Sequence, residues 1–213
     1  MKHLNQYKNE SFNFKSLTSY KTESFNFKSL PLYITEYIIK KKLDKPINSE
    51  DHYDYFPETK EELIENIKEC FNNEDYNLNC INTSKITDMS NLFKYIDLYN
   101  VNFDVSKWDV SNVENTSFMF TGFVKFDCDL SNWDVSKVTN MNYMFYNCEN
   151  FDCDLSNWDV SKVENMYTMF EGCSKFKGKG LDNWNVSNVE NMYYMLHNCK
   201  SITNKPSWYK DKE

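Results

Sequence analysis

Glycine and proline are scarce in this chain, with four of each among 213 residues. Such low counts argue against a turn-dense β-barrel and against a low-complexity linker. No run of 18 apolar residues occurs, so the sequence predicts no transmembrane segment. The N-terminus shows neither an apolar segment nor a small-residue cleavage site, which predicts no signal peptide and no lipid-attachment cysteine.

Motifs of catalysis and metal binding are also missing. The sequence contains no phosphate-binding loop, no H-E-x-x-H, no nucleophile elbow and no C-x-x-C. His3, His52 and His197 have no evident partners in the sequence. We therefore predict no catalytic residue, no metal site and no cofactor, and expect that the protein is not an enzyme.

Aromatic residues are abundant, at 17% of the chain, which predicts a folded protein. The formal net charge is −8, and residues 101–200 carry fourteen acidic residues against eight lysines. Because phosphate binding needs a cationic face, this acidic part predicts no nucleic-acid partner.

A repeat of about 25 residues organises the chain. Trp108, Trp133, Trp158 and Trp184 recur at intervals of 25, 25 and 26 residues. A fixed period of this length is typical of repeat architectures.

Each repeat contains two patterns. Met141, Met144, Phe145 and Cys148 share one face of a short helix, which a capping residue precedes. These predicted caps are Asp88, Asn115, Asn140, Asn165 and Asn191. The other half alternates apolar and acidic residues over 126–130, a pattern typical of a strand. The prediction is an α/β repeat fold: a leucine-rich-repeat-like solenoid of about five turns, each with a short strand segment and a short helix.

The predicted domain organisation has four parts. Residues 1–50 form a basic, weakly ordered N-terminal arm, which contains a 13-residue duplication (7–17 and 20–30) and a short helix. Residues 51–80 contain a linker and a capping helix at 57–71, where Thr59 and Glu62 make a capping-box signature. Residues 81–208 form the solenoid, and residues 209–213 are a tail.

Two sets of side chains recur in rows. Cys128 with Cys153, and Cys148 with Cys173 and Cys199, are interpreted as core residues. Disulfides between turns and thiolate metal binding are the alternatives. A second row holds acidic residues, for which a solvated face is favoured over a calcium site. These residues are Asp127, Asp129, Asp152 and Asp154.

A set of aromatic residues lies between the predicted core positions, and we call it the aromatic strip. Its members are Phe118, Tyr143, Tyr146, Tyr167, Tyr193 and Tyr194. Stacked repeats would line these rings up on the surface, where aromatic residues often form binding hot spots. Lateral packing between turns, without a partner, is the alternative.

The repeat W-D-V-S-x-V-x-N-M-x-x-M-F-x-x-C, clearest from Trp133 to Trp158, resembles the BspA-type leucine-rich repeat of bacterial surface proteins. The resemblance implies a cell-surface or secreted protein used in adhesion or host contact, without catalytic residues. The missing signal peptide favours a cytoplasmic location instead. The first hypothesis is therefore a non-enzymatic protein-interaction module of the bacterial surface or adhesion type, which binds a protein partner through an extended solenoid face. The alternative is an intracellular scaffold or structural repeat protein. The oligomeric state is left open.

Overall fold

The computed structural model describes residues 53–94, 96 and 100–210. The predictions for the basic arm at residues 1–50 and for residues 211–213 of the tail lie outside these described residues. The division of the chain into four parts stays a prediction.

One α-helix forms in the described residues, α1 at Lys60–Asn72. Thr59 is its N-cap, and its Oγ1 accepts the Glu62 backbone N–H at 3.2 Å, as the capping-box signature predicts. The buried face contains Leu63, Ile67, Cys70 and Phe71. The Phe71 ring lies 5.7 Å from that of Phe103, and Lys60 Nζ lies 2.8 Å from Asp88 Oδ2. These contacts place α1 against the first repeat.

The predicted α/β solenoid of strand-plus-helix turns is wrong. Apart from α1, the described helices are two 3-10 helices of three residues each, Leu78–Cys80 and Leu181–Asn183. The predicted strand segment at 126–130 forms neither a strand nor a bridge. The described residues form only single parallel bridges, and four of these lie at the residues predicted as helix caps. These bridges connect equivalent residues of successive repeats: Asp88 with Asn115, Asn115 with Asn140, Asn140 with Asn165, and Asn165 with Asn191. The repeats therefore stack in register as coils that are built from turns.

The predicted short helices do not form because positive φ angles interrupt them. In the clearest repeat, Tyr143 has φ +56° and Asn147 has φ +57°. An α-helix needs φ near −63° throughout, so the segment 141–148 becomes two successive turns. Each is closed by an i to i+3 bond, Met144 N–H to Met141 O at 3.2 Å and Cys148 N–H to Phe145 O at 3.0 Å.

The predicted helix caps and strands are replaced by Asx turns at the corners of each coil. Asn140 Oδ1 accepts the Asn142 N–H at 3.1 Å, so this residue closes a turn and does not begin a helix. Asp129 and Asp134 accept the backbone N–H of Ser131 and Ser136, each at 3.0 Å. Turns spaced this closely leave no length of chain for a regular strand.

The predicted core positions are confirmed by their burial. Met141, Met144, Phe145 and Cys148 are fully buried. The Phe145 ring lies 5.5 Å from Phe120 and 5.4 Å from Phe170, in nearly parallel stacks. Every tryptophan donates its indole N–H to a carbonyl of the preceding coil, at 2.9–3.2 Å. The acceptors for Trp108, Trp133, Trp158, Trp184 and Trp208 are Leu78, Val105, Leu130, Leu155 and Leu181.

The two rows of cysteines lie in this core, as the core interpretation predicts. Cys148 and Cys173 donate their thiol protons to the backbone carbonyls of Phe120 and Phe145, at 2.9 and 3.0 Å. A thiol at this position therefore fills the core and also satisfies a carbonyl of the neighbouring coil.

Candidate interaction surface

The aromatic strip lies on the face of the stack formed by the two successive turns of each coil. This backbone is held by hydrogen bonds to the next coil. The N–H groups of Met141, Tyr143, Phe145 and Asn147 donate to carbonyls of the following coil at 2.8–2.9 Å. The same pattern joins the coils before and after. The strip therefore stands on a rigid, laterally paired support.

The structure brings most rings of the strip into contact across four coils. Tyr143 stacks on Phe118 with centroids 4.5 Å apart, and meets Tyr167 edge-on at 5.3 Å. Tyr146 packs against Tyr143 at 5.6 Å, and Tyr194 against Tyr167 at 6.2 Å. Burial within the strip, together with hydrogen bonding to Tyr167, raises the pKa of the Tyr143 phenol. Phe118, Tyr143, Tyr146, Tyr167 and Tyr194 thus form one connected surface.

Exposure differs along the strip. The earlier rings, from Phe118 to Tyr167, are half-buried, whereas Tyr193 and Tyr194 in the last coil are 43% and 42% exposed. These two are the large hydrophobic side chains that the described part of the chain exposes. The stack therefore presents its most accessible rings at its C-terminal coil.

Two positions adopt positive φ in each of the four coils where the structure describes both, and they hold different residue types. The second position is occupied by Gly122, Asn147, Gly172 and Asn198, which adopt this conformation readily. The first position is occupied by an aromatic residue of the strip in three of the five coils. Its occupants are Asn91, Phe118, Tyr143, Thr168 and Tyr194. Aromatic residues are strained there by roughly 1–2 kcal/mol each.

Polar groups border the strip on one side. Glu171 and His197 follow the strip positions of their coils, and Glu171 Oε1 lies 3.0 Å from His197 Nδ1. His197 therefore has a partner that the sequence did not suggest. An alignment of the repeats could have predicted this pair, since the two residues occupy equivalent positions of successive repeats.

An acidic groove lies on the other side of the strip, and sequence reasoning missed it. It has a volume of about 480 Å³ and is lined by two columns of side chains. One column is Glu114, Thr139, Glu164 and Glu190, and the other is Asn115, Asn140, Asn165 and Asn191. The asparagines were interpreted only as caps, and the glutamates immediately before them were not considered. The groove residues precede the first strip residue of their coil by two to four positions in the sequence.

The predicted acidic row lies outside this groove, and most of its carboxylates already have hydrogen-bond or ion-pair partners. Asp129 and Asp154 accept N–H groups in Asx turns, which lowers the pKa of both carboxyls. For Asp154 the Lys179 ammonium is the largest cause, and the pKa is about 2. Asp152 pairs with Lys177. Among the described residues, no group of three or more His, Cys, Asp or Glu side chains is arranged to hold a metal ion.

A model of one protein family matches the chain over residues 61–180 and again over 94–209, together more than half of its length. That family is described as "Mycoplasma protein of unknown function, DUF285". The chain belongs to this family. Searches of curated proteins and of solved structures found no match.

The DUF285 match covers α1 and all the stacked coils, and so the repeat is the feature that places the chain in its family. The finer likeness to BspA-type surface proteins is not confirmed by this match. Among the described residues, no helix has the length and apolar character needed to cross a bilayer.

Proposed function

We propose that this DUF285 protein is a non-enzymatic protein-interaction module that binds its partner through the aromatic strip. The observation that carries the proposal is the placement of Phe118, Tyr143 and Tyr194 at positive φ. Each ring occupies a backbone conformation that glycine or asparagine adopts at little cost. Strained residues on a surface are commonly retained for function.

The chemistry of the surrounding surface supports a particular kind of partner. Tyrosines are enriched at binding hot spots because they combine a large apolar ring with a hydroxyl. Glu114, Glu164 and Glu190 add negative charge three or four positions before the strip in the sequence. A segment that carries lysine or arginine beside apolar side chains fits both features, through ion pairs and cation–π contacts.

The resemblance of the repeat to BspA-type surface proteins supports a role in adhesion or host contact. Surface protease shaving of intact cells, followed by immunoblotting, tests the location. Digestion of the protein on intact cells supports this role, whereas protection until the cells are lysed would contradict it.

The binding surface is tested by replacing Tyr143, Tyr167 and Tyr193 together with serine. Partners captured by crosslinking from host or bacterial extracts should be lost, while the circular dichroism spectrum is retained. The matched control replaces one exposed residue per coil on another face, Asn132, Asn157 and Asn183, with serine. Equal capture by both folded variants would contradict the proposal.

A second variant tests the strain argument. Tyr194→Asn introduces a residue type that tolerates φ +58°, and it removes a ring that is 42% exposed. We expect its free energy of unfolding to stay equal or to rise by up to about 1 kcal/mol, while partner capture falls. A clear loss of stability, with capture unchanged, would show that the ring serves packing instead.

A further inference from the structure

Two cysteines outside the stacked rows face each other at the N-terminal end. Cys70 lies in the last turn of α1 and is 2% exposed, whereas Cys80 ends the 3-10 helix Leu78–Cys80 and is half-buried. Their Sγ atoms are 4.0 Å apart, and ten positions separate them in the sequence. The thiol of a half-buried cysteine therefore contacts that of a buried one across the junction of α1 with the coils.

The other five cysteines are in a different situation. The thiols of Cys148, Cys173 and Cys199 donate to carbonyls of the preceding coil at 2.9–3.0 Å. Those of Cys128 and Cys153 lie 3.6 Å from aspartate oxygens. All five are buried, and burial raises the pKa of each thiol. Buried thiols of this kind are unreactive.

The electrostatics of the pair favour one thiolate. The hydrogen-bonding contact between the two sulfurs lowers the pKa of Cys80 and raises that of Cys70. Burial and the nearby carboxylates of Asp54 and Asp75 act against the thiolate but do not reverse the direction. Cys80 is the one thiol of the seven whose pKa is lowered.

We propose that Cys70 and Cys80 are a redox-active dithiol, which a low-molecular-weight disulfide oxidises to an intramolecular disulfide that fastens α1 to the first coil. The geometry supports this assignment because the two sulfurs are already in contact and Cys80 is the less buried residue of the pair. Closing the contact to a bond requires side-chain rotation at residues near the ends of two short elements.

The chemistry balances as two thiol–disulfide exchanges. The Cys80 thiolate attacks one sulfur of the small disulfide, forming a mixed disulfide and releasing the first small thiolate, which takes a proton from solvent. Cys70 then loses its proton and attacks the Cys80 sulfur, releasing the second small thiolate, which is protonated in turn. The protein loses two electrons and two protons, and the small disulfide is reduced to two thiols.

The consequence is a covalent cross-link at the end of the stack. Backbone bonds already join this region, since Asp75 N–H donates to Cys70 O at 2.9 Å and Tyr55 N–H donates to Cys80 O at 3.2 Å. A disulfide would add a restraint that persists when these hydrogen bonds open. Hydrogen exchange in α1 should therefore slow on oxidation, while exchange in the coils is unchanged.

The first experiment uses the unmodified full-length protein. Brief alkylation with iodoacetamide at neutral pH, read by peptide mass spectrometry, should label Cys80 at least about tenfold faster than Cys128. In a separate sample that has not been alkylated, hydroxyethyl disulfide should remove two hydrogen atoms and link the peptides that contain Cys70 and Cys80. Equal labelling rates, or a cross-link between other cysteines, would overturn the proposal.

Two variants separate the roles of the two thiols. Cys70→Ser should stop at a stable mixed disulfide on Cys80, because the resolving thiol is gone. Cys80→Ser should leave Cys70 unmodified, since that sulfur is buried. Circular dichroism verifies the fold of both. If the folded Cys70→Ser variant fails to hold the mixed disulfide, or if the unmodified protein accumulates it without cross-linking, the exchange sequence is wrong.

Discussion

Replacing Gly180 with alanine is expected to destabilise the protein far more than the same change at Gly178. Both glycines have positive φ, +94° and +76°, so alanine is strained by roughly 1–2 kcal/mol at either position. Their surroundings differ. A Cβ at Gly178 would lie 3.3 Å from the end of the Ile202 side chain, which can move aside. A Cβ at Gly180 would lie 2.2 Å from the backbone nitrogen of Ser156.

The second clash cannot be relieved by a side chain, because it involves the backbone of the preceding coil. That backbone is fixed by two bonds, Leu155 N–H to Lys179 O at 3.1 Å and Trp184 Nε1–H to Leu155 O at 3.2 Å. Overpacking costs about 1–3 kcal/mol, and weakening these bonds adds to it. We therefore expect a loss of about 3–5 kcal/mol for Gly180→Ala, against about 1–2 kcal/mol for Gly178→Ala.

Urea denaturation followed by tryptophan fluorescence measures both losses, since neither change removes a tryptophan. An equal slope of the free energy of unfolding against urea concentration verifies that both variants expose the same surface area on unfolding. Equal destabilisation by the two changes would refute the close approach of Gly180 to the neighbouring coil. A loss below about 1 kcal/mol at Gly180 would also refute the strain argument.

Further predictions concern the tryptophan column and the Asx turns. Trp158→Phe removes a buried hydrogen bond to Leu130 O and part of a buried ring, so calorimetry should show that the free energy of unfolding falls by about 2–3 kcal/mol. Trp208 lies at the half-buried end of the column, and Trp208→Phe should therefore lower the free energy of unfolding by less. Equal losses would contradict the stack. Hydrogen bonds from Ser136 lower the pKa of Asp134 in the folded protein. This carboxylate therefore stabilises the fold at pH values above its unfolded pKa of about 4. The stabilisation is lost as the pH falls through the lower pKa of the folded protein. Asp134→Asn keeps the acceptor and should remove this acid dependence, whereas Asp134→Ala should cost about 0.5–1.5 kcal/mol at neutral pH, both read from urea unfolding at pH 7 and pH 3.

The sequence predicted which side chains are inside the fold. The spacing of Met141, Met144, Phe145 and Cys148 identified four residues that are all fully buried. The alternation of Phe126, Cys128 and Leu130 with aspartates likewise separated buried from exposed positions. Apolar side chains must leave water whatever the backbone does, so a pattern of burial can be derived from residue types alone.

The conformation of the backbone could not be derived in this way. Burial at positions 0, +3, +4 and +7 fits a helix, but it fits two successive turns equally well. The deciding feature is positive φ at Tyr143 and Asn147, and Tyr143 is a residue type that gives no sign of it. Asparagine before an apolar run was interpreted as a helix cap, although the same side chain closes an Asx turn by bonding the N–H two residues on.

The candidate surface shows the same division. The sequence predicted the strip because its residues lie between the core positions of the repeats, and the structure brings Phe118, Tyr143 and Tyr167 into contact. The acidic groove was missed because Glu114, Glu164 and Glu190 are separated by more than twenty residues. Only the register of the stack places them side by side. An alignment of the repeats that includes the residues between the core positions would place these glutamates in one column.

The two positive-φ positions of the coils differ in the residues that they hold. One is occupied by Gly122, Asn147, Gly172 and Asn198, whereas the other holds Asn91, the buried Thr168 and three aromatic residues. Lateral ring packing explains Tyr143, which touches rings on both sides. It explains Tyr194 less well, because this ring lies in the last coil and is 42% exposed. Tyr194 meets the Tyr167 and His197 rings edge-on and still leaves 42% of its surface exposed at a strained position, and this is why it is the most informative residue of the strip.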